Sequence, residues 1–356
     1  MDYITDAMEM VDLLQHPAFC VQEGIIVKVN TAAQQRMIEP GTPVTNLIKI
    51  GAEEYTDFTG GCLYLTLYVN ETDLGFTVLR KNGFDLFQLE QDTENYELQA
   101  MALAARELRE PLSAIMISTE RLFPASVCSE DTKAYEQLAR MHRGLFQMLR
   151  LISNMSDADR YTVSRVSMDI QNGPALLDEI FRKAADLVER TGLHLEYTGI
   201  PEAIYILLNP ELLERAVLNA VSNAVKFTPT GGTIQAKLSR RGGKLCLSIQ
   251  DSGSGIPEDL RSTVFSRYTR EPGLEDGRYG IGLGMVIIRS AAAQHGGTVL
   301  IDHPQNCGTR ITMTFAIRPG SGATVRSPLL KVDYAGERDH GLLELSDVLP
   351  AELYNH

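Results

Sequence analysis

Between residues 98 and 155 apolar side chains recur in steps of three and four, first as Leu98, Met101, Ala105, Leu108, Leu112, Ile115, Thr119 and Leu122, then as Leu138, Met141, Leu145, Met148, Ile152 and Met155. That period is a heptad seam, and it commits the segment to two long α-helices. Pro124 lies between the seams and stops the first helix. Two helices with so short a connection fold back as an antiparallel hairpin. One hairpin leaves a wide apolar face, which a second copy of the chain would cover by closing a four-helix bundle. A homodimer is therefore expected; the alternative is that the face packs on the rest of its own chain.

The hairpin takes residues 92–162, so the segments on either side fold separately. Residues 1–91 alternate short apolar runs with turns. Phe19, Cys20 and Val21 are followed by Glu23-Gly24 and then by Ile25 to Val29, which reads as a β-hairpin with a glycine turn. Short helical pieces come next, then three strand-like runs at 62–69, 74–79 and 86–89. This order resembles a PAS sensor domain, with the stretch 17–30 similar to that family's opening. Residues 163–318 change to mixed α/β. Helices are expected at 174–191, 210–226 and 284–295, and strands at 193–197, 204–207, 233–238, 244–250, 298–301 and 309–317. The expected product is an α/β sandwich with helices on one face of a mixed sheet. In the tail, 319–356, the linker-like run Pro319-Gly320-Ser321-Gly322 precedes two apolar runs, 329–332 and 342–345, which suggest added strands and no function.

Composition excludes some classes. With 46 acidic and 33 basic residues the formal charge is −13, which argues against a chain that coats nucleic acid or anionic membrane. No apolar run approaches the ~18 residues of a membrane span, and the first residues lack the basic start and apolar core of a signal peptide. A cytoplasmic location is expected. The five cysteines are scattered, show no paired spacing and read as reduced thiols; Cys and His show no metal-ligand spacing.

Four short motifs follow one another in the α/β part. Asn219 and Asn223 lie four apart on one helical face that is otherwise apolar, with Lys226 three residues on. Carboxamides there need partners, which a hydrated metal or phosphate oxygens could supply. Asp251-Ser252-Gly253-Ser254-Gly255 follows an apolar strand, where a carboxylate can accept from an exocyclic amine and glycines allow close backbone approach. Phe265 to Arg270 places aromatic and basic residues in a polar loop. Gly280-Ile281-Gly282-Leu283-Gly284 opens a helix, a setting that binds phosphate. Each motif alone has a structural explanation. In this order and spacing they resemble the N, G1, F and G2 boxes of the GHKL ATPases, whose fold is the Bergerat-type α/β sandwich.

The resemblance implies an ATP site. Asn223 matches the Mg²⁺-coordinating asparagine, and Asn219 and Lys226 match phosphate-side contacts. Asp251 matches the adenine reader, supported by Gly253, Gly255 and Thr309. Gly280, Gly282 and Gly284 line the lid, with Leu283 beside them. A PAS-like region and a hairpin ahead of such a domain resemble the sensor histidine kinases, an α+β multidomain layout. In that family the first hairpin helix carries a phosphoacceptor histidine before a Glu-Leu-Arg-x-Pro-Leu run. Here the run is Glu107-Leu108-Arg109-Glu110-Pro111-Leu112, and Arg106 stands in the acceptor's place. A guanidinium stays protonated and has no lone pair to attack a γ-phosphate, whereas imidazole does. Glu107, the matching acidic neighbour, then has no histidine to activate. Glu110, where Thr or Asn serves dephosphorylation, would repel an aspartyl phosphate. His142 on the second helix, one residue past the seam, is read as an ordinary exposed histidine and a weak substitute acceptor.

The sequence thus points to a sensor-kinase-like pseudokinase that binds Mg-ATP and signals through a response regulator or a partner kinase. The alternatives are an active kinase using another acceptor or a heterodimer partner, and a GHKL ATPase without a phosphorelay role.

Overall fold

The structure is a computed structural model, and it describes residues 11–81, 83–90, 96–123, 132–163, 166–257, 264–265, 283–304, 308–317 and 339–355. The N-terminal part begins with β1 (Ala18–Gln22) and β2 (Ile25–Val29), joined by Glu23 at φ 50° and Gly24 at φ 77°. Two successive left-handed residues match the twist of the strands they connect. Helix α1 (Thr31–Gln35), capped by Asn30, strand β3 (Ile48–Ile50) and helix α2 (Ala52–Thr56) precede the meander β4 (Gly61–Val69), β5 (Thr72–Lys81) and β6 (Phe84–Leu89). Its core is aromatic, with Phe19 stacked on Phe87 at 4.7 Å and tilted against Phe76 at 5.6 Å.

The hairpin is α3 (Tyr96–Leu122) and α4 (Thr132–Val163). Its seams divide by alternate position. Ala105, Leu112, Leu145 and Ile152 share one core between the helices, and Leu138 is buried as well. Leu108, Ile115 and Leu122 on α3, and Met141 and Met148 on α4, are 41–72% exposed and, at heptad spacing, form an exposed apolar row on each helix.

The C-terminal α/β part contains β7 (Asp169–Asn172), α5 (Gly173–Glu189), β8 (His194–Thr198), β9 (Tyr205–Leu208), α6 (Pro210–Phe227), β10 (Thr233–Arg241), β11 (Lys244–Asp251), α7 (Leu283–Gln294), β12 (Val299–Asp302) and β13 (Arg310–Ala316). Helix α6 starts where its residues require: Asn209 accepts from Leu212 N at 2.8 Å, and Pro210 takes the first turn, where no N–H is needed. Its residues from Leu212 to Ser222 are buried all round. Strand β7, which pairs with β9, was not anticipated.

The two sheets are one. Strand order β2-β1-β6-β5-β4-β12-β13-β11-β10-β8, with β3 also on β4, makes a continuous eleven-stranded sheet among the described residues. The junction is the antiparallel pair β4–β12, with Val299 opposite Tyr64 and Ile301 opposite Cys62. Gly61 permits it, because a Cβ there would lie 2.3 Å from the Ile301 carbonyl oxygen. Two ion pairs pin the junction. Lys244 Nζ meets Glu54 at 2.6 Å, and Arg289 NH1 meets Glu90 at 3.2 Å with both side chains 2% exposed.

One strand expectation in the tail is corrected. The run Leu342 to Leu345 lies in and just beyond a short helix, α8 (His340–Glu344), because Asp339 caps it by accepting from Leu342 N at 2.9 Å. A 3-10 turn, Ala351–Tyr354, follows. The run 329–332 lies outside the described residues.

Candidate functional site

The site is built at the ends of β11, α6 and α7. Asp251 closes β11 and is 7% exposed. Its Oδ1 accepts from Gly253 N at 2.8 Å and from Thr309 N at 3.1 Å, so both bonds fall on one oxygen. Burial pushes its pKa above the ordinary carboxylate value, against the downward pull of these two N–H donors and of His303. Gly253 is needed for a reason within the chain. A Cβ there would sit 2.3 Å from the Phe227 carbonyl oxygen. Gly255 is needed for its backbone, at φ 78°.

Asn219 and Asn223 share a face of α6, as their spacing requires, and α7 begins over that face. A Cβ on Gly284 would meet Asn219 Oδ1 at 3.0 Å, and Asn223 Nδ2 rests on Met285 Sδ at 3.7 Å. The N-terminal turn of α7, with Leu283 buried, is thereby brought against both asparagines. Lys226 lies half-exposed in the last turn of the same helix. Phe265 is fully buried, its ring 5.8 Å from Tyr64, and its carbonyl accepts from Arg289 of α7. Gly280, Gly282 and the run 266–270 lie outside the described residues.

The two asparagines differ. Asn223 is half-exposed, and no hydrogen bond reaches its Oδ1 among the described residues, which suits a cation ligand. Asn219 is 1% exposed, and other residues of the chain engage both ends of its carboxamide. Its Nδ2 donates to Arg215 O at 2.8 Å and to Glu344 at 3.0 Å, and its Oδ1 accepts from Arg150 NH2 at 3.2 Å. Arg150, Arg215 and Glu344 were not picked out in the sequence. The available signal was Arg215 itself, an arginine among the apolar residues of α6, which needs an anion if it is buried.

On the hairpin, Arg106 and Glu107 are exposed on α3, directly after the buried Ala105. His142 is corrected: it is only 9% exposed, and its Nδ1 donates to the Tyr354 carbonyl at 3.1 Å, because the tail covers it.

Residues 208–319 match the family described as histidine kinase-, DNA gyrase B- and HSP90-like ATPases. The adaptive-response sensory kinase SasA of Gloeothece citriformis is 28% identical over 248 residues, covering 65% of this chain and 62% of that protein. The sensor-type histidine kinase PrrB of Mycobacterium leprae is 30% identical over 215 residues, covering 60% of this chain and 46% of that one. The chain thus spans less than two thirds of either relative. The solved mycobacterial sensor histidine kinase MprB is 28% identical, covers 43% of this chain and 99% of its own, and has a TM-score of 0.36. Among the described residues no helix is long and apolar enough to cross a membrane. The N-, G1- and G2-type residues gathered around α6 fall within residues 208–319, so that segment is a domain of the histidine kinase-, DNA gyrase B- and HSP90-like ATPase family, and the curated relatives matched here are named as sensor kinases.

Proposed function

We propose that this chain binds Mg-ATP at the meeting point of α6, β11 and α7 and acts as a sensor-kinase-like signalling protein that cannot phosphorylate its own hairpin at the usual position. The observation that carries the reading is Asp251, a buried carboxylate held by two backbone N–H groups on one oxygen, with the other left for an adenine amine. Asn223 would hold the cation, which neutralises phosphate charge when bound, and the α7 N-terminus would face the phosphates. Arg106, exposed at the acceptor position, supports the defect in self-phosphorylation. The burial of His142 disfavours it as a substitute acceptor.

A fluorescent ATP analogue tests the site. Asp251→Asn turns the acceptor pair into an amide that meets the adenine amine with the wrong polarity at least half the time. It should weaken binding on the order of 100-fold, a loss of about 3 kcal/mol for a charge-assisted bond. Asn223→Ala should abolish the dependence of binding on Mg²⁺. Undiminished, Mg²⁺-dependent binding by both variants would refute the site.

The exposed apolar rows, Leu108, Ile115 and Leu122 on α3 and Met141 and Met148 on α4, fit a second copy of the chain, which would complete a four-helix bundle and bury both rows. Ile115→Lys puts an ammonium in the middle of the α3 row. Sedimentation should show a dimer for the native chain and a monomer for the variant; a monomeric native chain at tens of micromolar would count against the dimer. A response regulator or a partner kinase remains the expected downstream contact.

A further inference from the structure

The tail has no role in the proposed nucleotide site, yet it is built into it. Glu344, 0% exposed, accepts from Arg215 Nε at 2.9 Å and from Asn219 Nδ2 at 3.0 Å, and lies 3.4 Å from Arg150 Nε. One carboxylate thus joins α8, α4 and α6. Asp347 adds a pair to Arg150 NH1 at 2.6 Å. Arg143 of α4 donates to the carbonyls of Ser346 and Asp347 at 3.0 and 2.8 Å. The apolar contacts repeat the pattern. Leu342, Leu345, Leu349 and Tyr354 join the core of the α/β part, whereas Leu343 enters the hairpin core beside Leu112 and Leu145. The tail therefore fastens one core to the other.

We propose that residues 339–355 form a strap that competes with nucleotide for Asn219 and locks the α/β part against the hairpin. The inference rests on the nucleotide reading of the site and adds its regulation. Both ends of the Asn219 carboxamide are engaged, Nδ2 by Glu344 and Arg215 and Oδ1 by Arg150. A phosphate that recruits this side chain must break the bond to Glu344, and the Glu344 charge beside it opposes an incoming anion. By linkage, nucleotide must loosen the strap as much as the strap weakens nucleotide. Release would also uncover His142 and free the hairpin and the α/β part to change their relative position.

The experiment uses the full-length chain as native protein, as Glu344→Gln and as Leu343→Ala. The first variant keeps the size of the side chain and removes its charge. The second loosens the strap at the hairpin end without removing any group that hydrogen-bonds Asn219. Affinity for a fluorescent ATP analogue with Mg²⁺ and hydrogen exchange over residues 339–355 are read together. Both variants are expected to bind about tenfold tighter, the equivalent of one charge-assisted hydrogen bond no longer broken on binding. Mg-ATP is expected to speed exchange in the native strap. Equal or weaker binding by both variants, with strap exchange indifferent to nucleotide, overturns the strap and leaves the nucleotide site standing. No binding by any of the three overturns the proposed function and the competition built on it.

Discussion

Incubated with γ-labelled ATP and Mg²⁺, the native chain should incorporate no label, and Arg106→His should incorporate acid-labile, base-stable phosphate on the new histidine. The side chain at 106 is exposed on α3, so the exchange should change stability by no more than about 0.5 kcal/mol. The chemical change is large. A permanently protonated guanidinium offers no electron pair, whereas a neutral imidazole offers one, and the exposed Glu107 carboxylate next to it can orient the ring or take its proton. The expected signal is label on the order of 100-fold above the native background, in line with supplying a nucleophile and its neighbouring base together. Labelling of the native chain at the same level would end the pseudokinase reading. A revertant that binds ATP and still takes no label would show that more than the acceptor has been lost. If the strap acts as inferred, adding Glu344→Gln to the revertant should speed the labelling further.

Glu90→Ala should destabilise the chain by about 3–5 kcal/mol, the cost of removing one member of a buried ion pair. The side chains of Glu90 and Arg289 are each 2% exposed, so solvent cannot take over the lost contact. Arg289 also donates to the Phe265 carbonyl and lies over the face of Tyr64, 5.6 Å from its guanidinium carbon. The pair joins the strand meander of residues 61–89 to α7, the helix that opens at Gly284 over Asn219. The same substitution should therefore loosen the start of α7 and weaken nucleotide. Urea denaturation gives the stability and the ATP analogue the affinity. A midpoint unchanged by Glu90→Ala would mean that the sheet junction does not form in solution.

Periodicity made much of the architecture legible. Helices at 96–122 and 132–163 follow from the heptad steps, and the strands of the α/β part from alternation, because both patterns are local and repeat over many residues. That the glycine motif opening α7 and the paired asparagines serve one site was implied only by the resemblance to the GHKL boxes. Shorter signals misled. The run Leu342 to Leu345 carries apolar residues enough for a strand, and only the Asp339 cap and the two cores around it make it helical. His142 looked exposed from its heptad position, since nothing in α4 reveals that residue 354 lies over it.

The sequence by itself determined the two asparagines on one helical face and the carboxylate at the end of a strand, each set by neighbours within a few residues, where helix and strand geometry leave little choice. The ATPase domain class and the reading of Arg106 as standing in an acceptor's place came from the resemblance to the histidine kinases. Only the tertiary structure decided that the two sheets merge through Gly61 and that Asn219 is held by Arg150 and Glu344. The partners of Asn219 lie 69 and 125 residues away. A charged residue shows in sequence that it needs a partner if buried, but not whether it is buried or which distant group will meet it. That choice depends on how whole elements pack, which no local pattern encodes.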